Sequence, residues 1–310
     1  MPGMDGALII DKPAGITSHT VVAQTRRLAG TRRVGHTGTL DPFATGVLVV
    51  LVGKATRLMQ FLNGAEKEYE ALIRFGYSTD TGDITGKQLA KPLIAQRLHK
   101  EDIETAMASF RGEIDQVPPM YSAKKIKGQK LYELARRGET VARAAVRVTI
   151  SEFAALASQG EPNANEDGTC DFAVRVVCSA GTYVRTLAED LGRQLGTGAH
   201  LAELRRTRAG SFRIKEARTL DQLKEMSETG SVTSAIIAPD TVVDHLPIIE
   251  LTEKDVRRVL NGVGLEADLP HQDQQHVRLR DAAGELIAVG VFDSAKKVVN
   301  PRVVLVTDSP

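Results

Sequence analysis

Apolar and polar positions follow a strand period in several parts of this 310-residue chain. The run Val47–Val52 is continuously apolar and rich in valine, which predicts a central strand. Residues Tyr69–Phe75 alternate between apolar and polar positions, which predicts a strand with one buried face, headed by Tyr69. Two later stretches, Val146–Ile150 and Phe172–Val176, alternate in the same way and predict further strands.

Apolar residues at helical spacing mark the stretches between these strands. A helix is predicted over Ser18–Leu28 with Ser18 as its N-cap, and another begins at Thr182, whose side chain would be the N-cap. Three more helices are predicted over 54–62, 103–110 and 131–135. Strands and helices together predict a mixed α+β protein.

The pattern changes past Leu220. Two short helical stretches lead to Asp240, and short strand patterns follow over 277–279, 286–291 and 303–306. Between them, Thr252 and Asp255 resemble a capping box, which predicts the start of a helix. We predict a larger domain over residues 1–240 and a small, β-rich domain over residues 246–310.

Composition limits the possible classes of protein. Apolar residues make up 42% of the chain, and its length agrees with two domains of about 150 residues each. The first residues resemble neither a signal peptide nor a membrane span, which predicts a cytoplasmic protein. Cys170 and Cys178 lie about 27 Å apart if their strand is straight, too far for a disulfide. No Cys and His spacing indicates a metal site.

Basic residues are concentrated in two runs, although the net charge is only +1. Residues 120–147 hold eight Lys and Arg against two Glu, and residues 201–218 hold six against two. Charge runs are often solvated faces, but Lys and Arg also supply most nonspecific affinity for nucleic acids. Because aromatic residues make up only 4%, we expect recognition of a folded RNA by shape and phosphates, with one base extruded.

The segment Gly35–Gly46 holds one carboxylate, Asp41, just before the predicted strand Val47–Val52. Because Asp41 precedes Pro42, its backbone is biased toward extended geometry. The flanking glycines let a ligand approach the main chain. A fixed carboxylate with open access suits a nucleophile or a general base. An Asp before Pro also commonly caps a turn, and from this segment alone both interpretations stay open.

Arg185 is the third residue of the helix predicted to follow Thr182. A cation there opposes the helix dipole, and a capping box would have Glu or Gln at that position. A residue that departs from the local rule is a candidate for function. A surface arginine that reaches solvent would also explain it, but the Gly-Thr-Tyr sequence before the helix favours function.

The loop around Asp41 resembles the signature of the TruB-type pseudouridine synthases. The matching residues are Gly35-His36-Thr37-Gly38-Thr39-Leu40-Asp41-Pro42, Ala44, Gly46, Val47 and Leu48. Other segments resemble the same family in order: Asp11-Lys12-Pro13 with 15–18, Pro119–Lys125 with Gly128, and Gly181–Thr186. The resemblance implies the pseudouridine synthase fold, a mixed and mainly antiparallel sheet with flanking helices. It also implies that the substrate is a uridine in the T-loop of tRNA, at position 55.

The resemblance further implies which residues form the active site. Asp41 would be the nucleophile that attacks C1′ or C6 of the uridine, and a glycal route stays open. Arg185 would be the cation that keeps Asp41 charged. Tyr69 would stack on the extruded base and help to remove the C5 proton. Because the isomerisation adds and oxidises nothing, neither a cofactor nor a metal is expected.

Several other residues match substrate-contacting positions of the family. His36 would hold the extruded nucleotide, Tyr183 and Leu204 would contact it, and Lys12 would support the catalytic loop or a phosphate. An insertion at about 118–145 resembles a clamp for the T-arm of tRNA, with candidate contacts at Tyr121, Lys124, Lys125 and Lys127. The resemblance also implies an RNA-binding PUA module in the C-terminal domain, and the strand pattern there is compatible with one. We expect a monomer that binds tRNA and no membrane.

Three other classes of protein stay open. A non-catalytic tRNA-binding or RNA-folding protein would use the same basic runs. A nucleoside hydrolase or base glycosylase would also present a carboxylate to C1′, but would release free uracil. The archaeal and eukaryotic homologue of this family works with a guide RNA, and the clamp-like insertion argues against that alternative.

Overall fold

The structure is a computed structural model that describes residues 4–90, 95, 97–122, 124–126, 128–139, 141–157, 161–267 and 272–306. Lys127, a predicted clamp residue, lies outside this described part. The strands are β1 (Gly6–Lys12), β2 (Val34–His36), β3 (Thr45–Val52), β4 (Lys67–Phe75), β5 (Gly112–Gln116), β6 (Lys125–Ile126), β7 (Gln129–Lys130), β8 (Val146–Ala155), β9 (Asn163–Ala164), β10 (Cys170–Cys178), β11 (Ala199–Ala209), β12 (Phe212–Arg213), β13 (Ile248–Glu250), β14 (Leu265–Glu266), β15 (His276–Arg280), β16 (Leu286–Asp293) and β17 (Val298–Val304).

Helices connect the strands and cover their apolar faces. The α-helices are α1 (Ser18–Leu28), α2 (Lys100–Ala108), α3 (Leu131–Arg136), α4 (Val184–Gln194), α5 (Leu220–Glu228), α6 (Pro239–Val242) and α7 (Glu253–Leu260). Short 3₁₀ helices span Gly53–Phe61, Ile214–Glu216 and Val232–Ala235.

The larger sheet has the strand order β1-β3-β11-β4-β10-β8-β5, with β2 beside β3, β9 beside β10 and β12 beside β11. Its pairs are antiparallel apart from β3 and β11, which run parallel and align Arg206 with Gly46. This confirms the mixed, mainly antiparallel sheet with flanking helices. The parallel pair brings the end of the Asp41 loop against the middle of β11.

Two apolar clusters fix the helices on this sheet. In one, α1 and α5 pack on β1 and β3 through Val21, Val22 and Leu223. In the other, α2 and α4 pack on β4, β10 and β11. In β4 the burial alternates from Tyr69 to Phe75, which confirms the predicted one-faced strand. The cluster under α4 contains Tyr69 itself, so this side chain is anchored in the core.

The C-terminal region forms a smaller sheet with the order β13-β15-β16-β17-β14, and α7 packs on it. This confirms that the end of the chain is β-rich. Its side chains Leu286, Val289 and Val303 share one apolar cluster with Val47 and Val49 of β3. The two sheets therefore bury a common core. The exact domain boundaries and the PUA assignment stay predictions.

Three local predictions were wrong in detail. Segment 53–61 is a 3₁₀ helix, because the apolar residues Ala55, Leu58 and Phe61 recur every three residues, the period of that helix. The N-cap of α1 is Thr17, whose hydroxyl accepts from the Thr20 N–H at 3.0 Å. The N-cap of α4 is not Thr182 but the next residue, which makes Arg185 the second helical residue.

The predicted clamp region contains a short hairpin and a helix. Strands β6 and β7 pair with each other, and α3 follows them directly. Within the polar stretch 158–168, β9 pairs with the start of β10. Residues 158–160 of that stretch lie outside the described part of the chain.

Candidate active site

The loop that carries Asp41 connects β2 to β3 and is tied to its surroundings on both sides of that residue. The buried hydroxyl of Ser18 accepts from the Leu40 N–H at 2.9 Å and lies 3.0 Å from the Leu40 carbonyl oxygen, to which it donates. On the other side, the Gly15 N–H donates to the Pro42 carbonyl at 2.8 Å. The backbone at Asp41 is thus fixed by contacts outside the loop.

Lys12 also supports the Asp41 loop. Its side chain is fully buried, and its Nζ donates to the carbonyls of Pro13 (2.8 Å), Ile16 (2.9 Å) and Pro42 (3.3 Å). Burial lowers the pKa of Lys12 to about 8, while the Asp41 carboxylate opposes that change. These contacts favour loop support over phosphate binding, the two roles that the sequence left open.

Gly46 closes the loop against β11. Its φ of +103° favours glycine, and a Cβ there would lie 2.2 Å from the Arg206 carbonyl oxygen. A side chain at this position would push β3 away from β11. The glycine therefore permits the parallel strand pair beside the Asp41 loop.

Arg185 forms a forked ion pair with Asp41. Its Nε lies 2.9 Å from Asp41 Oδ2, and its Nη2 donates to Asp41 Oδ1 at 3.3 Å. The Arg185 side chain is only 4% exposed, which rules out a surface arginine that reaches solvent. Bidentate guanidinium–carboxylate pairs restrict both the position and the orientation of the carboxylate.

The rest of the Arg185 guanidinium is held by groups from two other segments. Its Nη1 donates to the Thr81 carbonyl at 2.6 Å and lies 3.4 Å from Asp83 Oδ2, and its Nη2 donates to the Tyr121 carbonyl at 2.6 Å. Asp83 is itself buried and accepts from the hydroxyls of Thr81 and Thr85. Arg185 is therefore oriented before any substrate arrives.

The environment of Asp41 acts on its charge in opposite directions. Burial raises the pKa of Asp41, Arg185 opposes this rise, Asp83 adds to it and Lys12 opposes it. One third of the Asp41 side chain remains exposed, on the side that faces a cavity. The carboxylate is thus partly dehydrated yet accessible, which suits a nucleophile.

The cavity at Asp41 has a volume of about 270 Å³. Its wall includes the predicted residues Asp41, Tyr69, Tyr183, Arg185 and Leu204. These residues come from the loop, β4, β11 and the start of α4, so the fold brings together side chains far apart in the chain. Burial raises the pKa of Tyr69, and the nearby Arg206 opposes that rise.

The other predicted residues whose side chains the structure describes, Lys12, His36, Tyr121 and Lys124, are not part of this cavity wall. His36 lies at the end of β2, with its ring edge against His19 at a centroid distance of 5.7 Å. Burial, His19 and Arg206 together lower the pKa of His36. Tyr121 contacts the site through its carbonyl, and Lys124 is exposed. For Lys125 the structure describes the backbone in β6.

The sequence failed to identify several residues that build the site. Asp83 orients Arg185, and Arg206 and Lys67 line the cavity. The Gln116 side-chain amide accepts from the Tyr183 N–H at 2.8 Å and donates to its carbonyl at 3.1 Å. Arg206 belongs to the basic run 201–218, but that run suggested a position on the surface.

Much of that basic run is used inside the protein. Arg205 pairs with Asp11 at 2.7 Å, Arg208 pairs with Glu66 at 2.6 Å, and Arg206 is 1% exposed. That this run contributes to RNA binding stays a prediction. Intramolecular pairing, which depends on strand register, already compensates the charges of Arg205 and Arg208.

Other kinds of site are not found in the described residues. No group of three or more His, Cys, Asp or Glu side chains there could hold a metal ion. Within the same ranges, no helix is both long and apolar enough to cross a membrane. Cys170 and Cys178 are both buried and unbonded to each other.

Comparison with known proteins identifies similar sequences along most of the chain. A model described as TruB family pseudouridylate synthase (N terminal domain) matches residues 26–184, and one described as tRNA pseudouridylate synthase B C-terminal domain matches residues 185–243. The protein named tRNA pseudouridine synthase B from Geobacillus thermodenitrificans is 44% identical over 84% of this chain and 85% of its own length. Its namesake from Thermobifida fusca is 47% identical over 83% of this chain and 85% of its own.

A solved structure titled as a Cbf5-Nop10-Gar1 complex also matches the fold. The similarity covers 98% of this chain and 86% of that one, with a TM-score of 0.72 and 28% identity. A second match, titled as an H/ACA RNP bound to a substrate RNA containing 2′-deoxyuridine, has a TM-score of 0.71 and 27% identity, covering 98% and 86% of the two chains.

Proposed function

Because this chain belongs to the TruB family of pseudouridylate synthases, we propose that it isomerises the uridine at position 55, in the T-loop of tRNA, with Asp41 as the nucleophile. One observation carries this proposal: Asp41 is held by the Arg185 fork at the wall of a cavity that is open to a base. The many relatives named tRNA pseudouridine synthase B support tRNA as the substrate.

The reaction breaks the bond between C1′ and N1, turns the base and joins C1′ to C5, while the bond from C5 to its hydrogen breaks. The proton from C5 passes to solvent and N1 takes up a proton, so atoms and electrons balance without any oxidant or added group. Asp41 acts in its ionised form, on C1′ or on C6, and its departure restores the free carboxylate. Arg185 holds this carboxylate charged and aimed despite burial, because it meets both carboxylate oxygens.

Tyr69 and Leu204 border the extruded base in this proposal. Both are buried and both line the cavity with Asp41. Burial raises the pKa of Tyr69, which favours packing on the base as its main role. His36, next to the loop, helps to hold the extruded conformation, and Tyr183 contacts the nucleotide.

The T-arm is bound by the insertion at 118–145 and by the C-terminal domain. Lys124 is an exposed cation of this insertion, and Lys125 and Lys127 belong to the same proposal. The Tyr121 carbonyl, bound to Arg185, connects the insertion to the active site. We assign residues 1–240 to catalysis and residues 246–310 to a PUA-like RNA-binding domain of a monomer that acts in the cytoplasm.

The decisive experiment measures tritium release from a tRNA transcript labelled with [5-³H]uridine, together with analysis of the product nucleosides. Wild type should release tritium and form pseudouridine. Asp41→Asn should lower turnover by about 10⁴-fold, since it removes the nucleophile, and keep tRNA affinity within about tenfold. Asp221→Asn, on the exposed face of α5, is the matched control and should turn over normally.

The same assay separates the alternative functions. Free uracil as product would indicate a hydrolase or glycosylase, and tRNA binding without tritium release would indicate a binding protein. Similarity to the Cbf5 complex supports a guide-dependent enzyme as the second candidate. Activity on the transcript alone, with no added RNA or protein, would reject that candidate.

A further inference from the structure

The active-site cavity contains more positive charge than its acidic groups can neutralise. The cations Lys67, Arg185 and Arg206 line it, and the lining carboxylate is Asp41. Arg185 is already shared between Asp41 and Asp83. Among the described residues no ion pair involves Lys67 or Arg206. The cavity is therefore complementary to an additional anion.

Arg206 is the most unusual of these cations, because it is 1% exposed and has no carboxylate partner in the described ranges. Its Nε donates to the Val47 carbonyl at 2.7 Å, and its Nη2 donates to the Gly38 carbonyl at 3.0 Å. Its buried Nη1 has no hydrogen-bond partner among the described residues. An uncompensated buried charge is strongly destabilising, so a ligand that supplies the counter-charge would explain why an arginine is present here.

Gly38 leaves space between Arg206 and Lys67. A Cβ at Gly38 would lie 3.3 Å from Lys67 Cε and 3.6 Å from Arg206 Nη1. Its φ is outside the left-handed region, so backbone conformation does not require a glycine there. Lys67 is half-buried, and its Nζ makes one hydrogen bond, to the Ala65 carbonyl at 3.0 Å. Both remaining N–H donors of its ammonium group are available to a ligand.

We propose that Lys67 and Arg206, on either side of Gly38, form the binding site for a phosphodiester group adjacent to the extruded uridine. The inference rests on the proposed function, because that function supplies an RNA whose base enters this cavity. Lys67 contacts the phosphate oxygens directly, and Arg206 adds its charge from behind the loop. The site fixes the position of the sugar relative to Asp41, as phosphate contacts commonly do.

The test is a double-mutant cycle between the protein and the RNA backbone. T-arm stem-loops carry a neutral methylphosphonate either 5′ or 3′ of the target uridine, and dissociation constants are measured with Asp41→Asn protein to prevent turnover. At one of the two phosphates, the methylphosphonate should weaken binding by about tenfold. Lys67→Gln should weaken binding of unmodified RNA by a similar factor and lower the salt slope by about one. When Lys67→Gln protein binds the methylphosphonate RNA, the two losses of binding free energy should not be additive.

Matched controls make the outcome specific. Lys224→Gln, an exposed lysine of α5, should leave the methylphosphonate penalty unchanged. Gly38→Ala should weaken binding of unmodified RNA and remove the methylphosphonate penalty, because its methyl group fills the space between the two cations. Thermal unfolding of each variant establishes that it is folded.

The proposal is overturned if Lys67→Gln retains the full methylphosphonate penalty at both positions, or if neither methylphosphonate weakens binding. A folded parent protein that fails to bind the unmodified stem-loop would instead refute the proposed function, and this inference with it. If binding and tritium release are normal but the two losses of binding free energy are additive, the phosphate site alone is refuted.

Discussion

At the scale of single residues, the site is organised by Arg185. Its guanidinium joins Asp41, Asp83 and the carbonyls of Thr81 and Tyr121, which come from three separate segments. Burial favours the neutral form of Asp41, and Arg185 favours the charged form. The balance between dehydration and this ion pair therefore sets the pH at which the Asp41 carboxylate becomes charged.

Replacing Arg185 by lysine should reveal this balance. A single ammonium group cannot reproduce the fork, so we expect kcat to fall by about 100-fold. Asp41 must be ionised to react, so activity is lost as pH falls through its pKa. Weaker pairing lets burial raise that pKa further, and the acidic limb of the kcat/KM profile should move to higher pH. Arg193→Lys, an exposed position on the same helix, should leave the profile unchanged; an unmoved limb in Arg185→Lys would contradict this account.

At the scale of elements, the start of α1 holds the catalytic loop in place. Ser18 faces inward and bonds both backbone groups of Leu40, one residue before Asp41. The neighbouring Thr17 faces outward and caps the helix. The two adjacent hydroxyl side chains thus act differently: Ser18 positions the loop and Thr17 stabilises the helix.

This division predicts different effects of two single substitutions. Ser18→Ala leaves the buried N–H and C=O of Leu40 unpaired, so the free energy of unfolding should fall by about 1–3 kcal/mol, and kcat should fall as the loop loosens. Thr17→Ala removes only an exposed cap, which costs about 1 kcal/mol, and kcat should be unchanged. Urea denaturation and tritium release measure both quantities. Equal kcat values for the two variants would show that Ser18 does not position the loop.

At the scale of the whole molecule, the two sheets are joined by a shared core and an ion pair. Arg278 of β15 pairs with Asp240 of α6 at 2.8 Å, and its other N–H groups donate to the carbonyls of Leu246 and Asp244. Arg278 is largely buried, so this pair is shielded from solvent. The C-terminal sheet is thus fixed to the larger one.

Arg278→Leu should therefore destabilise the whole chain. Among the described residues, it leaves the largely buried Asp240 carboxylate with the more distant Arg280 as its ion-pair partner, and we expect a loss of about 3 kcal/mol in the free energy of unfolding. Arg147→Leu breaks an exposed ion pair instead and should cost less than about 1 kcal/mol. Chemical denaturation followed by far-UV circular dichroism compares them. Similar losses in both variants would show that the junction carries no special stability.

The sequence by itself determined the strands β3 and β4, the buried position of Tyr69 and the Asp41 loop, because strand period, Pro42 and the glycines act on neighbouring residues. It also contained the family motifs that single out Arg185. Tertiary structure alone decided that Arg185 lies inside the protein and that Asp83 orients it. It also decided that Arg206, a member of the basic run, lines the cavity. The two partners of the central ion pair are 144 residues apart. Their meeting depends on the pairing of distant strands, which no local period or backbone preference records.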